Sequence, residues 1–161
     1  MTVDPAVLAE LADLRSRLPQ LSASVVATAD GMVVAHDAHG MEPDTLAALA
    51  AAHLALARRL AQAVHHGALR ESLVQCDAGY ITSYAAGPDA LLTLVTSGNA
   101  DLAIVHLQAR RCVRRLISLL AVELPQTGTD IPNQAGPPAP LARRTPMATL
   151  PDSIRPQRGP G

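Results

Sequence analysis

The stretch from Thr45 to His66 constrains the fold of this chain more than any other. It reads TLAALAAAHLALARRLAQAVHH and carries no charge before Arg58. Ala and Leu are strong helix formers, and neither Gly nor Pro interrupts the stretch, so we predict one long helix. A helix that is apolar over most of its circumference is normally covered on both sides. The sequence therefore predicts a central helix with a sheet on one side and a partner on the other.

At about 100° per residue, two faces of this helix can be distinguished. We expect the leucine-rich face to pack on the sheet, and it comprises Leu46, Leu49, His53, Leu56, Leu60 and Val64. We expect the alanine face to be exposed, because small side chains let another backbone approach closely and a contiguous apolar patch marks an interface. A bias toward Ala in a GC-rich genome is the alternative explanation, although it would not by itself remove charge over three helical turns.

Composition limits the classes of function open to the chain. The 161 residues suggest one domain with a tail, and aromatics make up 1%, so the core must be built from Leu, Val, Ile and Ala. Residues 1–124 carry nine Arg and twelve acidic residues, a net charge of −3, which disfavours nucleic-acid binding. All thirteen basic residues are Arg, which excludes a phosphate-loop lysine and a Schiff-base lysine.

The chain also lacks the usual signals for export, metal binding and catalysis. The N-terminus shows no signal-peptide pattern and no run is long enough to cross a bilayer, so we expect a cytoplasmic protein. Cys76 and Cys112 have no zinc spacing, and we expect both to be buried free thiols. His36 and His39 would point to opposite faces of a strand, which argues against a metal site. No catalytic triad or paired-carboxylate spacing is present, so we predict a protein that is not an enzyme and needs no cofactor.

Turn and capping signals predict the order helix, two strands, helix, three strands, helix. Asp4-Pro5 begins the first helix, Asp30-Gly31 joins a hairpin in which both residues can take positive φ, and Gly67 caps the central helix. The last three strands, 69–76, 80–85 and 90–96, are joined by links short enough for an antiparallel meander. We predict an α/β (more narrowly α+β) fold, a five-stranded antiparallel sheet with one helix on one face and two on the other. The predicted divisions are an N-terminal helix at 1–20, a domain at 21–124 and a disordered Pro-rich tail at 125–161.

Four segments, in this order, resemble the roadblock (dynein light chain) family in its bacterial, actinobacterial form. They are SVVATADGMVVA at 24–35, LAALAAAHLALARRLAQAV at 46–64, DAGYITSYAAGPDALLTLVT at 77–96 and ADLAIVHLQARRCVRRL at 100–116. The resemblance runs from Leu21 to Glu123 and rests on the order of the elements more than on any single motif. It implies a roadblock/profilin-like sandwich.

The resemblance also implies a function, a non-enzymatic homodimer that binds and regulates a small Ras-like GTPase of the gliding-motility type, beside a histidine kinase system. Family dimers pair the third strand with its mate and pack the central helices side by side, and the GTPase docks on those helices. Carried over to this chain, the dimer interface comprises Leu54, Leu69, Glu71, Leu73, Val74, Gln75 and Cys76. The GTPase-docking face comprises Ala47, Ala48, Ala51, Ala55, Arg58 and Arg59.

Several alternatives remain open at this point. Arg58 and Arg59 either supply an arginine finger to the GTPase or form a solvated helix face. A profilin- or PAS-like small-molecule sensor and a general dimerisation module are the competing functions, although sensors usually line a pocket with aromatic groups that this chain lacks. Thr145, which follows Arg143-Arg144, is a weak candidate for phosphorylation.

Overall fold

The computed structural model describes residues 4–123, and their elements follow the predicted order. The elements are α1 Pro5–Arg17, β1 Leu21–Thr28, β2 Val33–Ala38, α2 Pro43–Ala63, β3 Glu71–Cys76, β4 Gly79–Ala85, β5 Ala90–Ser97 and α3 Leu102–Glu123. The predicted α+β fold class is therefore confirmed. The predicted tail at 125–161 and Thr145 lie outside the described residues, and the boundary at residues 20 and 21 stays a prediction.

The five strands form one antiparallel sheet in the order β2-β1-β5-β4-β3. The last three strands form the predicted meander, because turns of two and four residues leave no room for a crossover between them. β1 pairs with β5 through seven residue pairs in the middle of the sheet, which leaves β2 and β3 as the two edges. The edge strands are thus the two places where the sheet of residues 4–123 could be extended.

Helices cover the two faces of the sheet unequally. α1 and α3 pack on one face, and their core includes Leu11, Leu14, Leu92 and Leu116 together with Tyr84, the largest fully buried side chain. α2 alone packs on the other face, over a smaller core. The division into one helix and two helices was predicted, and it leaves the outer surface of α2 without any covering layer among the described residues.

The structure confirms the predicted cap of α1 and contradicts the predicted cap of α2. Asp4 caps α1 as predicted, since its carboxylate accepts a hydrogen bond from the Ala6 amide at 2.8 Å. α2 ends at Ala63, three residues before the predicted end, and its left-handed cap residue is His65, with φ 56°, rather than Gly67. The His65 and His66 amides donate back into the last turn at 3.0 Å, the paired pattern that closes many helices.

Gly31 fixes how closely the β1–β2 hairpin approaches α2. It is the residue of the Asp30-Gly31 pair that takes positive φ, at +88°, and its amide donates to the Thr28 carbonyl at 2.9 Å. The turn is therefore closed by a single left-handed glycine and is not the predicted turn with two positive φ angles. A Cβ at this position would lie 2.9 Å from the Cα of Ala48, so the helix backbone rests directly on the hairpin.

Candidate interaction surface

α2 contacts the sheet through the face that the sequence assigned to a partner. Its buried residues are Ala47, Ala50, Ala51 and Leu54, and Ala47 is 0% exposed. The prediction that Ala47 and Ala51 form an exposed docking face is therefore wrong, and so is the prediction that the leucine-rich face packs on the sheet. The physical reason is that alanines let a helix axis lie close to a sheet. Since both faces of α2 are apolar, hydrophobic periodicity could not decide between them.

A row of large apolar side chains consequently faces solvent. We call Leu49, Leu56, Leu60 and Val64 the leucine stripe, and their exposed fractions are 66%, 68%, 66% and 48%. Single exposed leucines are ordinary on a protein surface, whereas a contiguous row over four helical turns is typical of an interaction site. The stripe is the surface of residues 4–123 that most needs a covering partner.

The leucine stripe lies on the side of α2 that is nearest to β3. His53, which falls among the stripe residues on the helix, has its Nε2 atom 2.7 Å from the Ser72 hydroxyl oxygen of β3. His53 was predicted to face the sheet with the leucines, whereas it is exposed and this contact ties it to the edge strand. The stripe and the edge of the sheet therefore form one continuous surface.

β3 offers an open and regular edge. It pairs with β4 without interruption from Glu71 to Cys76, and no other described strand lies beyond it. Leu73 is 43% exposed, and Gln75 and Cys76 are exposed as well. An edge of this kind presents unpaired backbone amides and carbonyls that can template a further strand.

Two predictions about this region need correction. Leu54 was assigned to the dimer interface, but it is 1% exposed and is packed between α2 and the sheet, so it cannot contact a second chain. Cys76 was expected to be buried and is exposed, because it falls on an edge strand.

Cys112 is buried as predicted, and desolvation raises the pKa of its thiol to about 12. Leu69 and Val74 are partly buried, and the edge strand begins two residues after Leu69.

The other shoulder of α2 presents small side chains. We call Ala48, Ala52, Ala55 and Arg59 the alanine shoulder, and all four are exposed, whereas Arg58 is half-buried. The close approach of Gly31 to Ala48 places this shoulder on the side of the β1–β2 hairpin. Ala48, Ala55 and Arg59 thus remain available for the predicted docking role, and Ala52 was missed because the predicted face was centred too far toward the sheet.

A charged network fastens β3 to α3. Arg110 donates two hydrogen bonds to the Glu71 carboxylate, at 2.9 and 2.5 Å, and His106 Nδ1 lies 3.7 Å from the same carboxylate. Hydrogen bonding from Arg110 lowers the pKa of Glu71, against the opposing effect of burial. His106 also lies 2.8 Å from the Tyr84 hydroxyl, and burial raises the pKa of Tyr84 to about 12. The only charge on β3 is therefore held by a neighbouring helix.

All four arginines in the middle of α3, Arg110, Arg111, Arg114 and Arg115, are exposed, and two of them also form surface ion pairs. Arg110 pairs with Glu71, and Arg115 lies 3.0 Å from Glu10 of α1. These partners lie 39 and 105 residues away along the chain, so no local pattern in the sequence could have identified them.

The structure does not bring metal ligands together around His36 and His39. Asp37 forms an ion pair with Arg15 of α1, and His39 Nδ1 lies 2.9 Å from its other carboxylate oxygen. No group of three or more His, Cys, Asp and Glu side chains within residues 4–123 could hold a metal ion. In the same range, no helix combines the length and the apolar character needed to cross a membrane.

A five-stranded antiparallel sheet with helices divided one and two, an uncovered apolar helix and an open edge defines a roadblock-type domain. The Roadblock/LC7 domain model matches residues 7–96, and the chain belongs to that family.

Solved structures agree with this assignment. The Roadblock/LC7 domain from Streptomyces avermitilis is 25% identical, with a TM-score of 0.63, and the match covers 68% of this chain and 93% of that one. Gliding protein MglB from Thermus thermophilus is also 25% identical, with a TM-score of 0.63, covering 73% of this chain and 90% of that one. Myxococcus xanthus MglB, at 13% identity and a TM-score of 0.69, covers 75% of this chain and 99% of that one and shares the fold. No protein with a curated description matches the chain.

Proposed function

We propose that this protein is a non-catalytic homodimeric regulator or scaffold that binds a small Ras-like GTPase. Membership of the Roadblock/LC7 family and the similarity to gliding protein MglB support a regulatory role. The observation that carries the proposal is the leucine stripe, which is exposed and continuous with an open sheet edge. Both features are suited to binding a partner, and the two surfaces of α2 allow for two different ones.

The leucine stripe and the β3 edge together form the surface for a second copy of the chain. Antiparallel pairing of β3 with its mate would extend the five-stranded sheet to ten strands and bring the two α2 helices side by side. Leu73, Gln75 and Cys76 would then lie along the strand pair, with the leucine stripes covering each other above it. Such a contact is isologous, so it closes after two copies.

The alanine shoulder is the proposed docking surface for the GTPase. It lies on the far side of α2 from β3, so it stays accessible when two copies pair through their edges. Of the two predicted finger candidates, Arg59 is exposed and Arg58 is half-buried, which makes Arg59 the one able to reach a phosphate on the partner. The partner must supply the phosphate loop, since the chain has no lysine.

Light scattering after size exclusion tests the dimer. We expect the wild-type protein to have twice the 16.8 kDa mass of the chain at micromolar concentration. The change Leu56→Glu places a charge in the leucine stripe and should give a monomer. Ile104→Glu, at an exposed position on α3, is the matched control and should remain a dimer. A monomeric wild type, or a Leu56→Glu variant that still dimerises, would refute this interface.

Binding of a Ras-like GTPase from the same genome tests the docking surface. The GTPase is loaded with GDP or with a non-hydrolysable GTP analogue, and its association is followed by biolayer interferometry. Ala55→Arg should abolish binding, whereas Ala9→Arg, on the exposed side of α1, should leave it unchanged. Ala51→Arg is unsuitable because Ala51 is packed on the sheet, and the variant could lose binding through misfolding. Wild-type affinity in Ala55→Arg would place the docking surface elsewhere.

A further inference from the structure

A second surface, away from the outer face of α2, has a charge opposite to that of the molecule. An open groove of about 680 Å³ runs between the segment joining α2 to β3 and the middle of α3. Arg70, Arg110 and Arg114 line it together with His66, and Glu71 is the only acidic residue among its walls. Residues 1–124 as a whole have a net charge of −3. The groove, with three arginines and one carboxylate, is therefore a positively charged site on a negatively charged domain.

The charge of the groove is not neutralised from within. Arg110 uses its guanidinium on Glu71, so these two charges offset each other. Neither Arg70 nor Arg114 has a carboxylate within ion-pair distance among residues 4–121, although both line the groove. Two guanidiniums therefore remain to bind an anionic group, and guanidinium is the side chain that suits a carboxylate or phosphate best.

The shape of the groove indicates the kind of ligand. Its volume is within the range of ligand sites, about 300–1,000 Å³, but it opens to solvent, whereas small molecules are usually enclosed over most of their surface. Its walls also include apolar side chains, such as Leu69 and Val113, beside the arginines. A ligand that matches these properties carries negative charge, has apolar groups between its charges and stays partly exposed to solvent when it is bound.

We propose that this groove binds an acidic peptide segment of a partner protein, one in which carboxylates alternate with apolar side chains. The carboxylates pair with Arg70 and Arg114, and the apolar side chains contact Leu69 and Val113. The proposal does not depend on GTPase binding, since the groove uses α3 and the α2–β3 segment instead of the alanine shoulder. Leu69 and Glu71, which the resemblance assigned to the dimer interface, lie in the wall of this groove, whereas the proposed strand pairing uses Leu73, Gln75 and Cys76.

Fluorescence anisotropy with a labelled peptide of alternating glutamate and leucine tests the proposal. The same peptide with glutamine in place of glutamate is the control ligand. We expect the acidic peptide to bind, the glutamine peptide not to bind, and the affinity to fall as salt increases, because partly exposed ion pairs are screened. Arg114→Ala should weaken binding about tenfold, the effect of losing one charge-assisted hydrogen bond.

Arg111→Ala provides the matched control, because Arg111 is exposed on the same helix but does not line this groove. The affinity of this variant for the acidic peptide should stay within about twofold of the wild type, since the substitution removes one positive charge from the domain without removing a contact to the peptide. Thermal denaturation of both variants verifies that they are folded, as expected for exposed positions. Equal losses in the two variants, binding of the glutamine peptide, or complete displacement of the acidic peptide by low concentrations of inorganic phosphate would overturn the proposal.

Discussion

The orientation of α2 can be tested with two leucines that are two positions apart on the same helix. Leu54 is 1% exposed and packs between the helix and the sheet, whereas Leu56 is 68% exposed in the leucine stripe. The sequence-based prediction placed Leu56 on the sheet. Replacing each residue by alanine removes the same atoms, so the difference in stability between the variants reports which side faces the core.

The expected magnitude follows from burial. Leu54→Ala removes three carbon groups from the core, worth about 0.8 kcal/mol each, or about 2.4 kcal/mol before any cavity is counted. The α2-side core is small, and its other buried members are Val25, Leu91 and four alanines, which cannot expand to fill the space. We therefore expect about 3 kcal/mol of lost stability for Leu54→Ala, within the usual range for such changes. Leu56→Ala should cost less than about 0.5 kcal/mol in the monomer.

Urea unfolding followed by circular dichroism measures both values. With a slope of about 1.5 kcal/mol per molar urea, Leu54→Ala should lower the unfolding midpoint by about 2 M and Leu56→Ala by less than about 0.4 M. The measurement is made at several protein concentrations, because dissociation of a dimer would make the apparent stability of Leu56→Ala depend on concentration. A larger loss in Leu56→Ala than in Leu54→Ala, independent of concentration, would show that α2 is turned the other way.

Three further predictions test other parts of the structure. Gly31→Ala should cost more than about 1 kcal/mol in thermal unfolding, because the residue has φ +88° and the added methyl group would meet the α2 backbone. Because Arg110 lowers the folded-state pKa of Glu71, this carboxylate contributes stability above its ordinary value near 4.5 and loses it as the pH falls through the lower folded-state pKa. Acid unfolding of Glu71→Gln should therefore be less steep in that range than that of the wild type. Mass spectrometry after iodoacetamide treatment of the monomeric Leu56→Glu variant should find Cys76 modified and Cys112 intact, since Cys112 is buried and its pKa is raised to about 12.

Local chemistry explains why the order of the elements was predictable from the sequence. Asp4-Pro5 supplies a capping carboxylate and a preset φ angle, and Gly31 supplies the positive φ that a short hairpin requires. Short links between the last three strands allow only antiparallel pairing. In each case the interaction that determines the local structure involves residues close in sequence to the pattern that predicts it.

The side of α2 that packs on the sheet could not be predicted, because it is determined by the size of the side chains rather than by their polarity. Ala47 and Ala51 are on the sheet side because a small side chain lets the helix approach, while Leu49 and Leu56 are larger and point outward. For a monomer in water, this arrangement exposes more apolar surface than the reverse one would. Natural sequences rarely make this choice without a compensating contact, so the inverted pattern is itself evidence for a partner on the outer side of α2.

The two edges of the sheet differ in a way that bears on how that partner binds. The β1–β2 pairing is bulged between Val26 and Ala27, and Arg15 of α1 donates to the Asp37 carbonyl at 3.1 Å, so the β2 edge is irregular and partly covered. β3 has neither a bulge nor a proline, and its one charge, on Glu71, is already paired with an α3 arginine. Proteins usually protect an exposed edge with such devices, and only one of the two edges has them. One open edge can pair with an identical open edge but cannot continue into a fibre, and this asymmetry favours a closed dimer through β3.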